Sequence, residues 1–268
     1  MIKPISKFIK IVKRSALMYM SADLEFRTQL ISWVIADFIQ PILLAVVWSG
    51  ASKNSDYSIQ QVFTYFILMT LILRFTKDFS DRFVSTKIIY GSFSNYLYKP
   101  FNYLSEILGI SIGSKLIRVL ITLPFWFLAV YLIRENLMFS FNIEILGYGV
   151  LATILAFLIS FLLGNIFALL TFFIKQIYGL RIFYENVVVF MSGEIMPIFT
   201  IPTWALLPFQ LLPFRYTLSF PVEILGGFIS TDEIYKGFII AVIWLILLVI
   251  IYLLLYKIAI TKYEGEGI

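Results

Sequence analysis

Thirty consecutive residues, Ile145–Ile174, carry no charge. A helix crosses the ~30 Å hydrocarbon core of a bilayer with ~20 residues, at ~1.5 Å per residue. This run is longer than that, so it must tilt or protrude. The whole chain agrees with it. Of 268 residues, 60% are hydrophobic and 14% charged, against about 45–50% and about 25% in soluble domains. Mean hydropathy is +0.93. An ordinary soluble fold and disorder are both excluded.

Five further stretches are long and apolar enough to span: Thr28–Ser49, Ile59–Phe75, Leu116–Ile133, Phe183–Phe199 and Gly237–Tyr256. With Ile145–Phe173 they make six predicted transmembrane helices. A seventh uncharged stretch, Ile195–Phe214, carries Pro197, Pro202, Pro208 and Pro213, with Pro221 just beyond. An interior proline removes a helical hydrogen bond and clashes with the preceding turn. Broken backbone at membrane depth persists only inside protein or beside a wet cavity. This stretch is therefore predicted to be a re-entrant hairpin, over about 200–230.

Lys and Arg set the orientation. With a cytoplasmic N-terminus, six fall inside before the first span and seven between Arg74 and Arg118. Lys175, Arg181, Lys257 and Lys262 follow, so that seventeen of the 21 basic residues lie inside. Only Lys53, Arg134, Arg215 and Lys236 lie outside. A net charge of +5 thus reflects positive-inside bias rather than nucleic-acid binding. Both termini are expected in the cytoplasm. No cleavable signal peptide is expected, because the basic start is long and no small-residue cleavage site follows a short apolar core.

Three segments are not spans. In residues 1–22, Lys3, Lys7, Lys10 and Arg14 share one helical face, and Ile5, Phe8, Ile9, Val12, Ala16 and Leu17 another. That periodicity favours an interfacial helix over a basic frayed tail. Residues 76–103 interleave polar residues with Phe83, Ile88, Ile89, Tyr90, Phe93, Tyr96, Leu97 and Tyr98. Docking into a groove on a partner and lying along the bilayer surface fit this segment equally well. Lys99-Pro100 stops it before the next helix. The outer loops at Gly50–Ser58 and Arg134–Glu144 are too short for a domain. The chain is one transmembrane domain, with spans in 28–75, 104–199 and 237–256.

Much chemistry is missing. There is no cysteine and no histidine, which removes disulfides, thiolate metal sites, zincin helices and His-dependent triads. No catalytic group and no metal site is expected. The nearest phosphate-loop decoy, Gly109-Ile-Ser-Ile-Gly113-Ser-Lys115, lacks the adjacent Gly-Lys. Its two glycines read better as a small-xxx-small packing face. Ionisable residues near membrane depth are functional candidates. Asp37 and Glu194 are the strongest, while Glu185 and Glu223 read as wet interfacial groups. Arg215 is expected to pair with Glu194 or Glu223.

Two local patterns then carry a resemblance. One is Ile89-Tyr90-Gly91-Ser92-Phe93-Ser94-Asn95-Tyr96-Leu97-Tyr98-Lys99-Pro100. The other runs from Ser192-Gly193 through Pro197 and Pro202-Thr203-Trp204 to Pro213-Phe214-Arg215-Tyr216 and Pro221. Together with the layout, these resemble the ABC-2 type permease family, the membrane subunits of bacterial ABC exporters. Glu194-Ile-Met departs from the small apolar residues usual after Ser-Gly. The resemblance covers essentially the whole chain and implies an all-α fold of the type V exporter kind. It also implies a plasma-membrane permease that works with separate ABC ATPase subunits and a second permease, identical or not. ATP and Mg would be bound by those ATPases and no cofactor by this chain.

By the same resemblance, Tyr90, Gly91, Phe93, Tyr96, Leu97, Lys99 and Pro100 form the cytoplasmic coupling helix that contacts the ATPase. Asp37, Glu194, Pro197, Pro202, Trp204, Pro213 and Arg215 belong to the translocation path or gate. The competing reading is a channel or secondary transporter that needs no ATP. A lipid-modifying enzyme would need a polar catalytic cluster at one interface, and none is visible. The assigned topology predicts that single cysteines placed at positions 204–213 react with a membrane-impermeant maleimide from outside the cell only; labelling from the cytosolic side would refute it.

Overall fold

The structure, a computed structural model, describes residues 4–52, 57–99, 102–138, 142–174 and 177–263. Pro100 and Lys3 lie outside the described residues. Among those described there are helices and turns and no strand. Helices α1 (Pro4–Glu25), α2 (Arg27–Ala51) and α3 (Ile59–Thr76) come first. The polar segment then forms α4 (Ser80–Ile89) and the single turn α5 (Ser94–Leu97). Next come α6 (Tyr103–Ile133), α7 (Ile143–Leu169) and α8 (Tyr178–Met191). The proline-rich stretch holds α9 (Leu206–Leu211) and α10 (Ser219–Leu225) between 3-10 turns, and α11 (Thr231–Thr261) closes the order.

Helix starts follow the local chemistry. Ser58 with Gln61 and Ser230 with Glu233 are reciprocal capping boxes at α3 and α11. Asn102 and Asn142 accept backbone N–H groups at the starts of α6 and α7. The central helix is α3, with Val62, Tyr65, Phe66, Met69 and Ile72 buried. Those residues form one apolar cluster with α2 and α10. A larger one joins α4, α6, α7, α10 and α11. Outside them, α2 exposes Ile35, Ile39, Ile42, Leu43, Val46 and Val47, as a lipid-facing surface does.

Five segments are long and apolar enough to cross a membrane: Ser32–Ala51, Ile59–Ile89, Tyr103–Asn136, Ile143–Phe172 and Thr231–Thr261. The chain is a multi-pass membrane protein. The expected span Phe183–Phe199 is not a continuous helix. α8 starts earlier, at Tyr178, and ends at Met191, a length of about 21 Å. Beyond it Gly193 takes a φ of +87°, which L side chains rarely adopt. Pro197 then sits in extended backbone with ψ 137°. The expected span Leu116–Ile133 is the C-terminal part of a helix that begins at Tyr103. A hydropathy window misses the N-terminal part because Glu106, Ser111 and Lys115 are polar. Each finds its partner inside the protein.

The α1 helix packs along the N-terminal half of α6. Its expected apolar face is divided: Ala16 is buried, whereas Phe8, Ile9 and Leu17 are exposed. The contact depends on Gly109 and Gly113, as a small-xxx-small face does. A Cβ on Gly109 would lie 2.5 Å from Val12 O and 2.7 Å from Ser15 Cβ, and one on Gly113 would collide with the Ala16 carbonyl oxygen. These are backbone obstacles that cannot rotate away. Gly113→Val should therefore cost about 1–3 kcal/mol, the usual penalty of overpacking, seen as a lower midpoint of thermal unfolding in detergent. Gly147→Ala, with nothing within 4 Å of the new methyl, should leave the midpoint unchanged or higher; equal losses in the two variants would dismiss the α1–α6 contact.

Candidate functional site

Five ion pairs are concentrated on the break between α3 and α4. Helix α3 ends at Thr76, and Lys77 turns into extended backbone with ψ 119°. Arg74 Nη1 meets Asp37 of α2 at 2.5 Å. Lys77 Nζ meets Glu194 at 2.8 and 3.1 Å. The Asp78 side chain is 2% exposed and accepts Lys115 Nζ of α6 at 2.8 Å. It also accepts the Ser111 and Ser80 hydroxyls and the Ser80 N–H. Asp81 lies 3.4 Å from Arg181 of α8, and Arg82 2.8 Å from Glu185 of the same helix. Lys115 also donates to the Lys77 carbonyl at 3.0 Å, satisfying backbone that the break frees. A cavity of about 230 Å³ adjoins this junction, lined by Lys77, Asp81, Tyr184, Glu185, Ser192 and Glu194.

Charges at this depth are costly unless paired and hydrogen-bonded. The arrangement ties α2, α6, α8 and the turn after α8 to one short segment. Asp37 and Glu194 are thus both brought to the same junction. Glu194 pairs with Lys77 and not with Arg215.

The Tyr90–Lys99 segment is a knob on a rigid aromatic base. Gly91 has a φ of +66°, and the chain reverses there. Phe93 is fully buried, with its ring 5.2 Å from both Tyr103 and Phe172 and 5.9 Å from Tyr263. The Ser94 N–H donates to the Tyr263 hydroxyl at 3.0 Å, and that hydroxyl donates to the Gly91 carbonyl. Tyr96 is buried beside them, and burial, followed by the Glu106 charge, holds its phenol above the ordinary value. Lys99 lies 4.7 Å from the Tyr96 ring centroid and 2.6 Å from Glu106. Tyr90, Leu97 and Tyr98 are exposed, at 69%, 44% and 86%. The rings of Phe93 and Tyr96 both point inward, against Tyr103.

The proline hairpin is built from short pieces. Pro197 and Pro202 precede 3-10 turns at Ile198–Thr200 and Thr203–Ala205. Pro213 accepts the Tyr216 N–H at 3.2 Å. Side chains from the long helices satisfy the freed carbonyls. Tyr65 donates to Gly193 at 2.8 Å, Trp48 to Ile195 at 2.9 Å and Trp244 to Leu211 at 2.7 Å. Ser219 Oγ donates to Ser192 O at 2.5 Å. Arg215 pairs with Glu223 at 2.5 Å. Glu223 is 2% exposed, which corrects the expectation of a wet interfacial carboxylate. Trp204 is 86% exposed at the tip.

The structure brings into play residues that the sequence reading used only for orientation or passed over: Lys77, Asp78, Asp81, Lys115, Arg181 and Tyr263. A signal existed for the first three. The run Lys77-Asp78-Phe79-Ser80-Asp81-Arg82 alternates signs directly after an apolar span, a pattern that suits inward pairing as well as solvent. Nothing local marks Tyr263.

A multi-helix bundle with an ionic junction and a broken proline hairpin fits a membrane transport component. The comparison with known families agrees. Residues 31–267 match the ABC-2 family transporter protein model, and the chain belongs to that family. No curated protein and no solved structure matches it. It is the membrane component of an ABC transporter, and membership implies association with ABC ATPase subunits.

Removing one member of a buried ion pair costs about 3–5 kcal/mol, while replacing both often costs little. Asp78→Asn and Lys115→Met should each lower the unfolding midpoint sharply, and the double variant should recover most of the loss. Strictly additive effects would show that the two groups do not act as a pair.

Proposed function

We propose that this chain is the permease subunit of an ATP-driven bacterial exporter, powered by separate ATPase subunits that hold the ATP and Mg. The observation that carries the proposal is the Tyr90–Tyr98 knob: exposed aromatics on a base that cannot give way. Large apolar side chains presented rigidly are what a partner groove recognises. The Lys/Arg asymmetry puts this knob, with the α7–α8 turn and Tyr263, on the cytoplasmic side.

In this reading the chain crosses the plasma membrane six times, with both termini inside. α8 and the turns after it together make the fifth crossing. A second permease, identical or different, packs against α2, α3 and α8, and the path runs near Asp37 and Glu194. The hairpin with Pro197, Pro202, Trp204, Pro213 and Arg215 is the outer gate. Closure of the ATPases pushes the knob. Because α4 packs on α7 and joins α3 through the ionic junction, the push shears Arg74–Arg82 against α2, α6 and α8. Ion pairs that exchange partners give two discrete arrangements, as a two-state device requires. ATP bound by the ATPases supplies the unequal affinity for the two states.

Affinity purification of the tagged chain from its host in mild detergent should capture an ABC ATPase. Tyr90→Ala with Leu97→Asp should reduce that capture at least tenfold, the scale of losing an aromatic hot spot, with unchanged membrane insertion. Undiminished capture would remove the knob from the interface, and transport by the purified chain alone in liposomes would favour the ATP-independent reading.

A further inference from the structure

The ionic junction has a second side. A cavity of about 390 Å³ opens between α2 and α6, bordered by Arg74, Lys77, Arg82 and Arg118, with Asp37 as its one lining carboxylate. Three of these cations are matched: Arg74 by Asp37, Lys77 by Glu194 and Arg82 by Glu185. Arg118 is not. Among the described residues it makes no ion pair within 4.0 Å. Its guanidinium is held between two rings, 4.8 Å from the Trp33 centroid and 5.4 Å from that of Phe79. Asp23, at the end of α1, feels its charge only from beyond ion-pair distance. The Nε–H groups of Arg74 and Arg118 and the Thr122 hydroxyl are buried with no hydrogen-bond partner among the described residues.

A buried guanidinium donor without an acceptor is costly. Two such groups and the unpartnered Thr122 hydroxyl near one cavity, with Arg118 outside ion-pair distance of any described carboxylate, define a place for an acceptor-rich anion. Guanidinium groups match phosphate in particular. We propose that this cavity binds the phosphate headgroup of an anionic phospholipid, with Arg118 as the principal contact and Arg74 and Thr122 as further donors. The surroundings favour a lipid over a free anion. The same turns of α2 and α6 present exposed Ile35, Ile39, Leu116 and Leu120, an apolar wall for acyl chains. Trp33 is 40% exposed, as interfacial tryptophans are. Basic pockets between spanning helices on the cytoplasmic side bind acidic headgroups. The bound lipid would sit on the face opposite the Lys77–Glu194 cavity and clamp the α3–α4 break from outside. Assignment to the inner leaflet rests on the orientation proposed above; the site itself does not.

Native mass spectrometry of the full chain in detergent tests it, titrating phosphatidylglycerol and phosphatidylcholine separately. The wild type should retain phosphatidylglycerol at least about fivefold better, the scale of one basic residue acting on an acidic lipid. Arg118→Gln should abolish that preference, Arg82→Gln at the half-exposed rim should weaken it, and Lys257→Gln on exposed α11 should leave it intact. If Arg118→Gln does not fold, the Arg82→Gln titration decides alone. Equal retention of the two lipids, or a preference that survives both cavity variants, overturns the proposal. Displacement of phosphatidylglycerol by millimolar inorganic phosphate overturns the lipid assignment in favour of a soluble anion. Neither outcome depends on an ATPase partner, so failure here leaves the exporter reading standing.

Discussion

The rest of the molecule depends on the Asp78–Lys115 pair. A helix that breaks inside a bilayer leaves carbonyls and N–H groups with no water to satisfy them. At the α3–α4 break, Lys115 serves both the Lys77 carbonyl and the Asp78 carboxylate. Asp78 in turn gathers Ser80 and Ser111. The pair therefore makes the break possible. The break aims α4 along α7, and α4 carries the knob away from the spanning bundle.

The same rule operates at the proline hairpin with different residues. The hairpin carries five prolines between 197 and 221 and cannot satisfy all of its own backbone. Tyr65, Trp48 and Trp244 reach this region from α3, α2 and α11, and the hairpin's own Ser219 donates to Ser192. The two irregular segments are thus held differently. At the α3–α4 break ion pairs carry most of the ties, whereas the hairpin combines hydroxyl and indole donors with one buried ion pair, Arg215–Glu223. Charged pairs can exchange partners at modest cost when a neighbouring charge takes over. A hydroxyl bonded to a carbonyl has fewer alternatives.

Much of the architecture was legible from the chain. Apolar length marked five of the spanning helices, and proline density marked the hairpin. The spacing of Gly109 and Gly113 marked a packing face, and aromatic–polar interleaving marked the knob. Other features were not legible. The polar first turns of α6 are not legible as part of one long apolar helix, because Glu106, Ser111 and Lys115 look soluble until Lys99 and Asp78 are placed beside them. Glu223 looked wet because its partner Arg215 is eight residues away across a turn whose shape no local pattern specifies. Phe93 and Tyr96 looked like surface contacts because sequence alone does not say which aromatics of a short turn point inward.

By itself the sequence determined the solvent and the five long apolar helices, though not that the sixth expected span, Phe183–Phe199, ends as a helix at Met191. These follow from composition and length, which act on each segment separately. Only the tertiary structure decided which charge meets which: Asp37 with Arg74, Glu194 with Lys77, Asp78 with Lys115, and Arg118 with none within ion-pair distance among the described residues. An ion pair is a property of two groups brought within 4 Å of each other. In a bundle, that closeness is set by how helices distant in sequence pack, which no single stretch of residues encodes.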